Sequence, residues 1–168
     1  IPVTIYNGLA TPVVVQVEGK SREVAALGHV DFDLDHAGKQ GVVTKHPSGA
    51  VIERFDAKIE QGHHYVYNVA SAAALVQWTA SYGSASAVPP HRLGAQRWLM
   101  CSVDHLFEEP PSSVETKGGG ATRSVMSAAA DLSPRTVLDR VDSEAEQRQI
   151  ILSHAEWDAA GSAYLVGW

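Results

Sequence analysis

HVDFDLD, residues His29 to Asp35, alternates polar and apolar side chains without a slip. Successive side chains on a strand point to opposite faces, so this run places Val30, Phe32 and Leu34 on one side and His29, Asp31, Asp33 and Asp35 on the other. The same period recurs on either side of it. PVVVQV (12–17), VIERF (51–55), HYVYNV (64–69) and LVQWT (75–79) carry it forward. No helix-period segment precedes residue 131 or so. Strands are therefore expected over 2–6, 12–18, 21–27, 29–35, 40–45, 51–60, 63–70 and 74–82.

The breaks between these runs have turn chemistry. Asn7-Gly8 and Glu18-Gly19 supply residues that tolerate positive φ, and Gly28, Gly38, Gly41, Pro47-Ser48-Gly49 and Gln61-Gly62 mark the later reversals. Short strands at such spacing indicate a sandwich or barrel. A parallel α/β sheet would need helical crossovers, and the first eighty residues offer none. The fold class expected is mainly β: an antiparallel β-sandwich closed by a C-terminal pair of short α-helices. The core would occupy residues 1–83, with 84–168 forming an irregular arm, an edge strand and an αα cap on the same domain.

After Gly83 the character changes. Ser84-Ala85-Ser86-Ala87 and Pro89-Pro90 read as an arm, Arg97 to Cys101 as one more strand, and Ser113 to Lys117 as a short edge strand. Gly118-Gly119-Gly120 reads as a flexible loop, since three glycines lose much backbone freedom on ordering. Its flanking Lys117 and Arg123 hint at a phosphate cradle, but the spacing is not that of a P-loop. Ser133-Pro134 starts a helix with Leu132 stapled onto Val137, and Ser143 with Glu146 starts a second that ends near Gly161. Ile150, Ile151, Ala155 and Trp157 or His154 form its buried stripe. Ala163 to Trp168 reads as a returning strand, and Trp98, Trp157 and Trp168 as pins that hold the C-terminal arm to the sandwich.

Composition narrows function. The net charge is −6 over 168 residues, and the thirteen basic residues never occur in pairs, so a nucleic-acid partner is not expected. No stretch approaches the ~20 apolar residues of a membrane span. Cys101 is alone, so no intrachain disulfide can form. A chain of this length hides roughly 68–70% of its unfolded surface, and no metal or cofactor is needed to hold it together. The opening Ile1-Pro2-Val3, without methionine and directly in a strand pattern, is the start expected of a processed or excised piece.

Three groups of residues carry possible chemistry. His29, Asp31 and Asp33 share a strand face, and a His-x-Asp pair can hold a divalent metal if another strand brings a third ligand. The simpler reading is a solvated outer face whose charges deter edge-to-edge pairing. His63-His64 is a second contributor, but adjacent residues point oppositely, so only one of the two can join. Tyr65, Tyr67 and Trp78, on neighbouring strands, make a stacking platform for a sugar or an anchor for a protein if exposed, and core if not. Nucleophilic catalysis has no signature: there is no Gly-x-Ser-x-Gly, and Cys101 beside Leu99 and Met100 has the apolar setting of an inert thiol. Glu108-Glu109 is a carboxylate pair only by adjacency, and Pro110-Pro111 after it points to an exposed turn.

The pattern Val3-x-Ile5-x-Asn7-Gly8, then Pro12-Val13-x-Val15-x-Val17-x-Gly19, Val24, Gly28 and Phe32-x-Leu34, resembles the prealbumin-like (transthyretin-like) accessory β-sandwiches over residues 2–80. That resemblance implies a non-catalytic appendage of a bacterial envelope or secreted protein, outside the cytoplasm, and carries no functional residues with it. The function expected is an accessory module of a larger bacterial protein that binds a protein partner. A carbohydrate or small-ligand module built on Tyr65, Tyr67 and Trp78 is the alternative, and a metal-dependent hydrolase centred on His29, Asp31 and Asp33 the second alternative.

Overall fold

The computed structural model describes residues 1–130 and 132–167. Its strands are β1 (Pro2–Tyr6), β2 (Val13–Val17), β3 (Lys20–Val24), β4 (His29–Asp33), β5 (Gly38–Lys45) and β6 (Val51–Ile59). They continue with β7 (His64–Asn68), β8 (Leu75–Gly83), β9 (His91–Gly94), β10 (Trp98–Cys101), β11 (His105–Leu106) and β12 (Gly120–Ala128). A 3-10 turn (Val69–Ser71) separates β7 from β8. The chain ends in α1 (Pro134–Asp139), α2 (Glu144–Trp157) and α3 (Gly161–Gly167).

The strands form three four-stranded sheets, ordered β10-β7-β1-β4, β3-β2-β5-β6 and β11-β12-β8-β9. The fold is mainly β, and the first two sheets make the expected sandwich. Val3, Ile5, Phe32, Tyr65 and Tyr67 of one sheet share a core with Val13, Val15, Val42 and Ile59 of the other. Of the third sheet, β8 was expected as a strand, but not as part of a separate layer. This sheet covers the opposite face of the β10-β7-β1-β4 sheet, where Tyr6 and Val66 meet Leu75 and Met126.

The middle sheet is therefore buried on both faces along β1 and β7 (Val3, Thr4, Ile5, Val66 and Tyr67 are all inaccessible or nearly so). These strands pair in parallel, Val3 opposite Tyr65 and Ile5 opposite Tyr67, and β11 also runs parallel to β12. Parallel pairs favour such double burial. The long stretch between β1 and β7 that a parallel pair requires is filled by strands rather than a helix.

The arm after Gly83 is largely strand. β12 pairs with β8 along its whole length, from Gly120 opposite Gly83 to Ala128 opposite Leu75. Gly120 thus begins a strand rather than ending a flexible loop, and Ser113 to Lys117 forms no strand. Gly83 is needed where it stands: φ is +60°, and a Cβ there would press into the Gly119 carbonyl and Thr116. Gly83→Ala should cost about 1–2 kcal/mol, read from the urea midpoint, because neither the backbone angle nor the neighbouring carbonyl can give freely.

Both helix starts follow their caps. Ser133 Oγ accepts from the Thr136 N–H and Ser143 Oγ from the Glu146 N–H, each at 3.4 Å. The buried residues of α2 are Ile150, Ile151, Ser153 and His154; of the two alternatives His154 is the buried one, and Ser153 is buried where Ala155 was expected and is instead exposed. Residues 161–167 are helix rather than a returning strand. The short apolar run Tyr164-Leu165-Val166 suits either period, and packing on α2 decides it. Trp98 and Trp157 pack against the sandwich core as expected; Trp168 lies outside the described residues.

Candidate binding cleft

Tyr65 and Tyr67 do not form a surface platform. They are 3% and 0% exposed, and both rings face the sandwich interior. Tyr65 stacks on Trp98 with centroids 5.4 Å apart, and its hydroxyl accepts from the Glu60 N–H at 2.8 Å. Tyr67 donates to Glu53 Oε1 at 2.5 Å and contacts Thr44 Oγ1 at 2.6 Å. Since the tyrosine proton goes to the carboxylate, the threonine hydroxyl is the donor of the second bond. The expectation of exposed rings is corrected at these two positions. Their strand is central and covered on both sides, so neither of its faces reaches water.

Trp78 is different. It lies on β8, on the face of the third sheet turned away from the middle sheet, with Val76 and the cross-strand partner of Val76, Ser127. Its Nε1 donates to Ser127 Oγ at 2.9 Å. That bond holds the indole against the sheet and leaves the half-buried ring to line a cavity of about 590 Å³. Volumes of roughly 300–1,000 Å³ are typical of ligand sites.

The cavity lies between the third sheet and the helical cap. Its floor is apolar: Ala74 and Leu75 are buried there, beside Ala128 and Ala129. Its walls bring in three charged side chains, Arg92 from β9, Glu109 from the loop after β11, and Arg140 from the C-cap of α1. Arg92 is held in place, donating to Asp142 Oδ1 at 3.1 Å and to the Asp139 carbonyl at 3.4 Å. Among the described residues, Arg140 and Glu109 make no side-chain hydrogen bond or ion pair. An unpaired cation and an unpaired anion thus line one apolar cavity without meeting. The alternation of LVQWT marked Trp78 in advance. Arg92, Glu109 and Arg140 had no local signal, because they come from three segments that only the tertiary fold brings together.

His29, Asp31 and Asp33 do form the outer row of β4, all exposed. Asp31 and His64 meet through Thr4. The Thr4 hydroxyl lies 2.8 Å from Asp31 Oδ1 and 2.9 Å from His64 Nε2. A carboxylate only accepts, so Thr4 donates to Asp31 and receives the His64 Nε2 proton. Burial pushes the His64 pKa down, and the charges of Asp31 and Asp33 only partly offset this. His63 points elsewhere and lies 3.9 Å from Glu60. His29, Asp31 and His64 line a second cleft of about 280 Å³ with Asp104 and Glu108. Among the described residues, however, no three His, Cys, Asp or Glu side chains converge as metal ligands. Thr4 is fully buried and placed between the acid and the base. It spaces and orients the two side chains, and it lines the same cleft.

Cys101 is buried, and burial pushes its thiol pKa up, the direction of a structural rather than a nucleophilic thiol. No helix of the described residues is long and apolar enough to cross a membrane. No family model matches the sequence, and no curated protein matches it.

Proposed function

We propose that this chain is a non-catalytic recognition module that binds a polypeptide partner in the cleft beneath Trp78. The observation that carries the reading is the cleft itself: an apolar floor, one fixed indole and charged groups at its walls. An aromatic anchor in a partly desolvated pocket, ringed by polar groups, is the arrangement that concentrates binding energy in protein recognition. Asp31 and His64, the acid and base that the fold brings closest to one another on the outer row of β4, are both engaged by the Thr4 hydroxyl. The prealbumin-like pattern of residues 2–80 supports the same reading. It adds that the module would belong to a larger bacterial protein acting outside the cytoplasm. The carbohydrate alternative loses Tyr65 and Tyr67 to the core and keeps Trp78 alone.

Affinity selection of a random peptide library tests this, run in parallel on the natural chain and on Trp78→Ala and Trp78→Leu. The natural chain should enrich a shared motif and the variants should not, with urea midpoints confirming that all three are folded. A motif equally enriched by a folded Trp78 variant, or no motif at all, would refute the proposal. Truncating an aromatic anchor typically costs about 2 kcal/mol or more, roughly a thirtyfold loss of affinity.

A further inference from the structure

We infer that His154 is a buried imidazolium whose second proton latches the helical cap to the turn after β7, so that the cap slackens as the medium turns alkaline. That turn leads into Ala74, which lines the Trp78 cleft. The consequence for binding rests on the reading above; the latch itself does not.

His154 is 2% exposed. Its Nδ1 lies 2.8 Å from Asp158 Oδ2, and its Nε2 lies 2.9 Å from the Ala72 carbonyl. A carboxylate and a carbonyl only accept, and a neutral imidazole has a single N–H to give. A neutral ring would therefore set a lone pair against one of these two oxygens. A protonated Asp158 would remove that conflict, but this carboxyl is held in its charged form. Burial alone would raise its pKa, yet the bonds from His154, Ala10 and Ala160 outweigh it and keep the value low. Both groups are therefore charged. The imidazole also lies flat on Tyr164, with centroids 4.0 Å apart and planes 7° from parallel, a face that favours a cation. Two charges persist away from water when each is paired and hydrogen-bonded further, as here.

Position makes the proton a latch. α2 grips the 3-10 turn at two points, Ser153 Oγ on the Ala70 carbonyl at 2.5 Å and His154 Nε2 on the Ala72 carbonyl. A ring that loses one proton keeps Nδ1–H for the Asp158 charge, so the bond to Ala72 is the one lost. Ser153 then holds the junction alone. Beside the ring is a cavity of about 220 Å³, and among the described residues Tyr6 of β1 and Tyr164 of α3 are the other titratable groups lining it. The β1–β2 loop, the turn and α1 face it with uncharged residues. Phenols ordinarily stay neutral up to ~10, and burial with the Asp158 charge pushes Tyr164 higher. The sign follows from linkage. The partners of the second proton exist only in the folded cap. Its contribution is therefore complete below ~6.5, where an unfolded histidine titrates, and is lost as pH rises beyond.

Nitrogen NMR of the imidazole and amide hydrogen exchange test the latch on the natural chain without any ligand. At about pH 7 both His154 ring nitrogens should be protonated, with the shifts of an imidazolium. Between about pH 6 and pH 9, protection of the α2 and α3 amides should fall at least about tenfold relative to β8 and β12, the size expected for one charge-assisted bond. In His154→Gln, whose side chain does not titrate, that relative fall should vanish. A single protonated ring nitrogen at about pH 6 would overturn the inference. So would a loss of protection shared equally by cap and sheet, or one that persists in a folded His154→Gln. Should the variant fail to fold, the two measurements on the natural chain decide. Peptide selection repeated at both pH values then reads the effect on the cleft: motif enrichment should weaken at the higher one. No motif at either pH counts against the cleft and leaves the latch standing.

Discussion

Glu53→Ala is expected to lower stability by about 3 kcal/mol, a larger loss than any substitution in the cleft. The Glu53 carboxylate accepts from the Tyr67 hydroxyl at 2.5 Å and from the Ala70 N–H at 2.7 Å, with Arg97 3.6 Å from its other oxygen. Burial, reinforced by the neighbouring Glu53 charge, raises the Tyr67 pKa well above its ordinary value. The hydroxyl therefore stays protonated and keeps donating. Ala70 and Ser71 follow at φ +55° and +50°, left-handed angles that non-glycine residues hold only under restraint. Ala70 also accepts from Ser153 Oγ of α2 at 2.5 Å, so the corner that Glu53 anchors is where the helical cap docks.

Truncation leaves a buried hydroxyl and a backbone N–H without an acceptor, each worth about 1–3 kcal/mol, and relaxes the strained corner. Tyr67→Phe removes the bond to Glu53 and also the acceptor of the buried Thr44 hydroxyl, and should cost about 2–3 kcal/mol. The two substitutions together should cost less than their sum, since they act on one network. Urea titration with an unchanged m-value is the measurement, and a Glu53→Ala loss below about 0.5 kcal/mol would refute the account.

The second large effect is at Asp158. Its side chain has no solvent exposure. It accepts from His154 Nδ1 at 2.8 Å, from the Ala10 N–H at 2.7 Å and from the Ala160 N–H at 3.0 Å. His154 in turn donates from Nε2 to the Ala72 carbonyl at 2.9 Å. One carboxylate thus ties the end of α2 to the β1–β2 loop, 148 residues away in sequence. Asp158→Ala strands two backbone donors and should cost about 2–4 kcal/mol.

The same contact sets a pH dependence. Burial alone would raise the Asp158 pKa, but the bonds from His154, Ala10 and Ala160 outweigh it, and the folded value lies below the unfolded one. A carboxyl depressed in the folded state stabilises the fold fully above its unfolded pKa, ~3.9, and loses that contribution as pH falls through the folded value. Glu18, Glu60, Asp35 and Asp104 are shifted in the same direction, so the chain as a whole should weaken in acid. The signature of Asp158 is the difference between the natural chain and Asp158→Asn. That gap should close below about pH 4. A gap that stays constant down to about pH 3 would show that the carboxylate is not the latch.

The strands of the first eighty residues were legible to within a few residues, because a half-buried strand writes its period into consecutive positions. So were the caps at Ser133 and Ser143, whose partners lie three residues on. β12 was not: GATRSVMSA has small and polar side chains with weak alternation, and only its long pairing with β8 makes it a strand. α3 was misread because a short apolar run fits either period.

The candidate site divides the same way. Trp78 stood out as an aromatic on a predicted strand, but so did Tyr65 and Tyr67, and one strand cannot reveal whether a second layer covers its outer face. Residue order was enough to establish a mainly β chain with capped helices at its end, since those signals are local and need no knowledge of neighbours. The third sheet, the parallel pairing of β1 with β7, and the meeting of Arg92, Glu109 and Arg140 around Trp78 arose only on folding. Each depends on segments far apart in the chain, and burial of one sheet against another has no signature in either sheet alone.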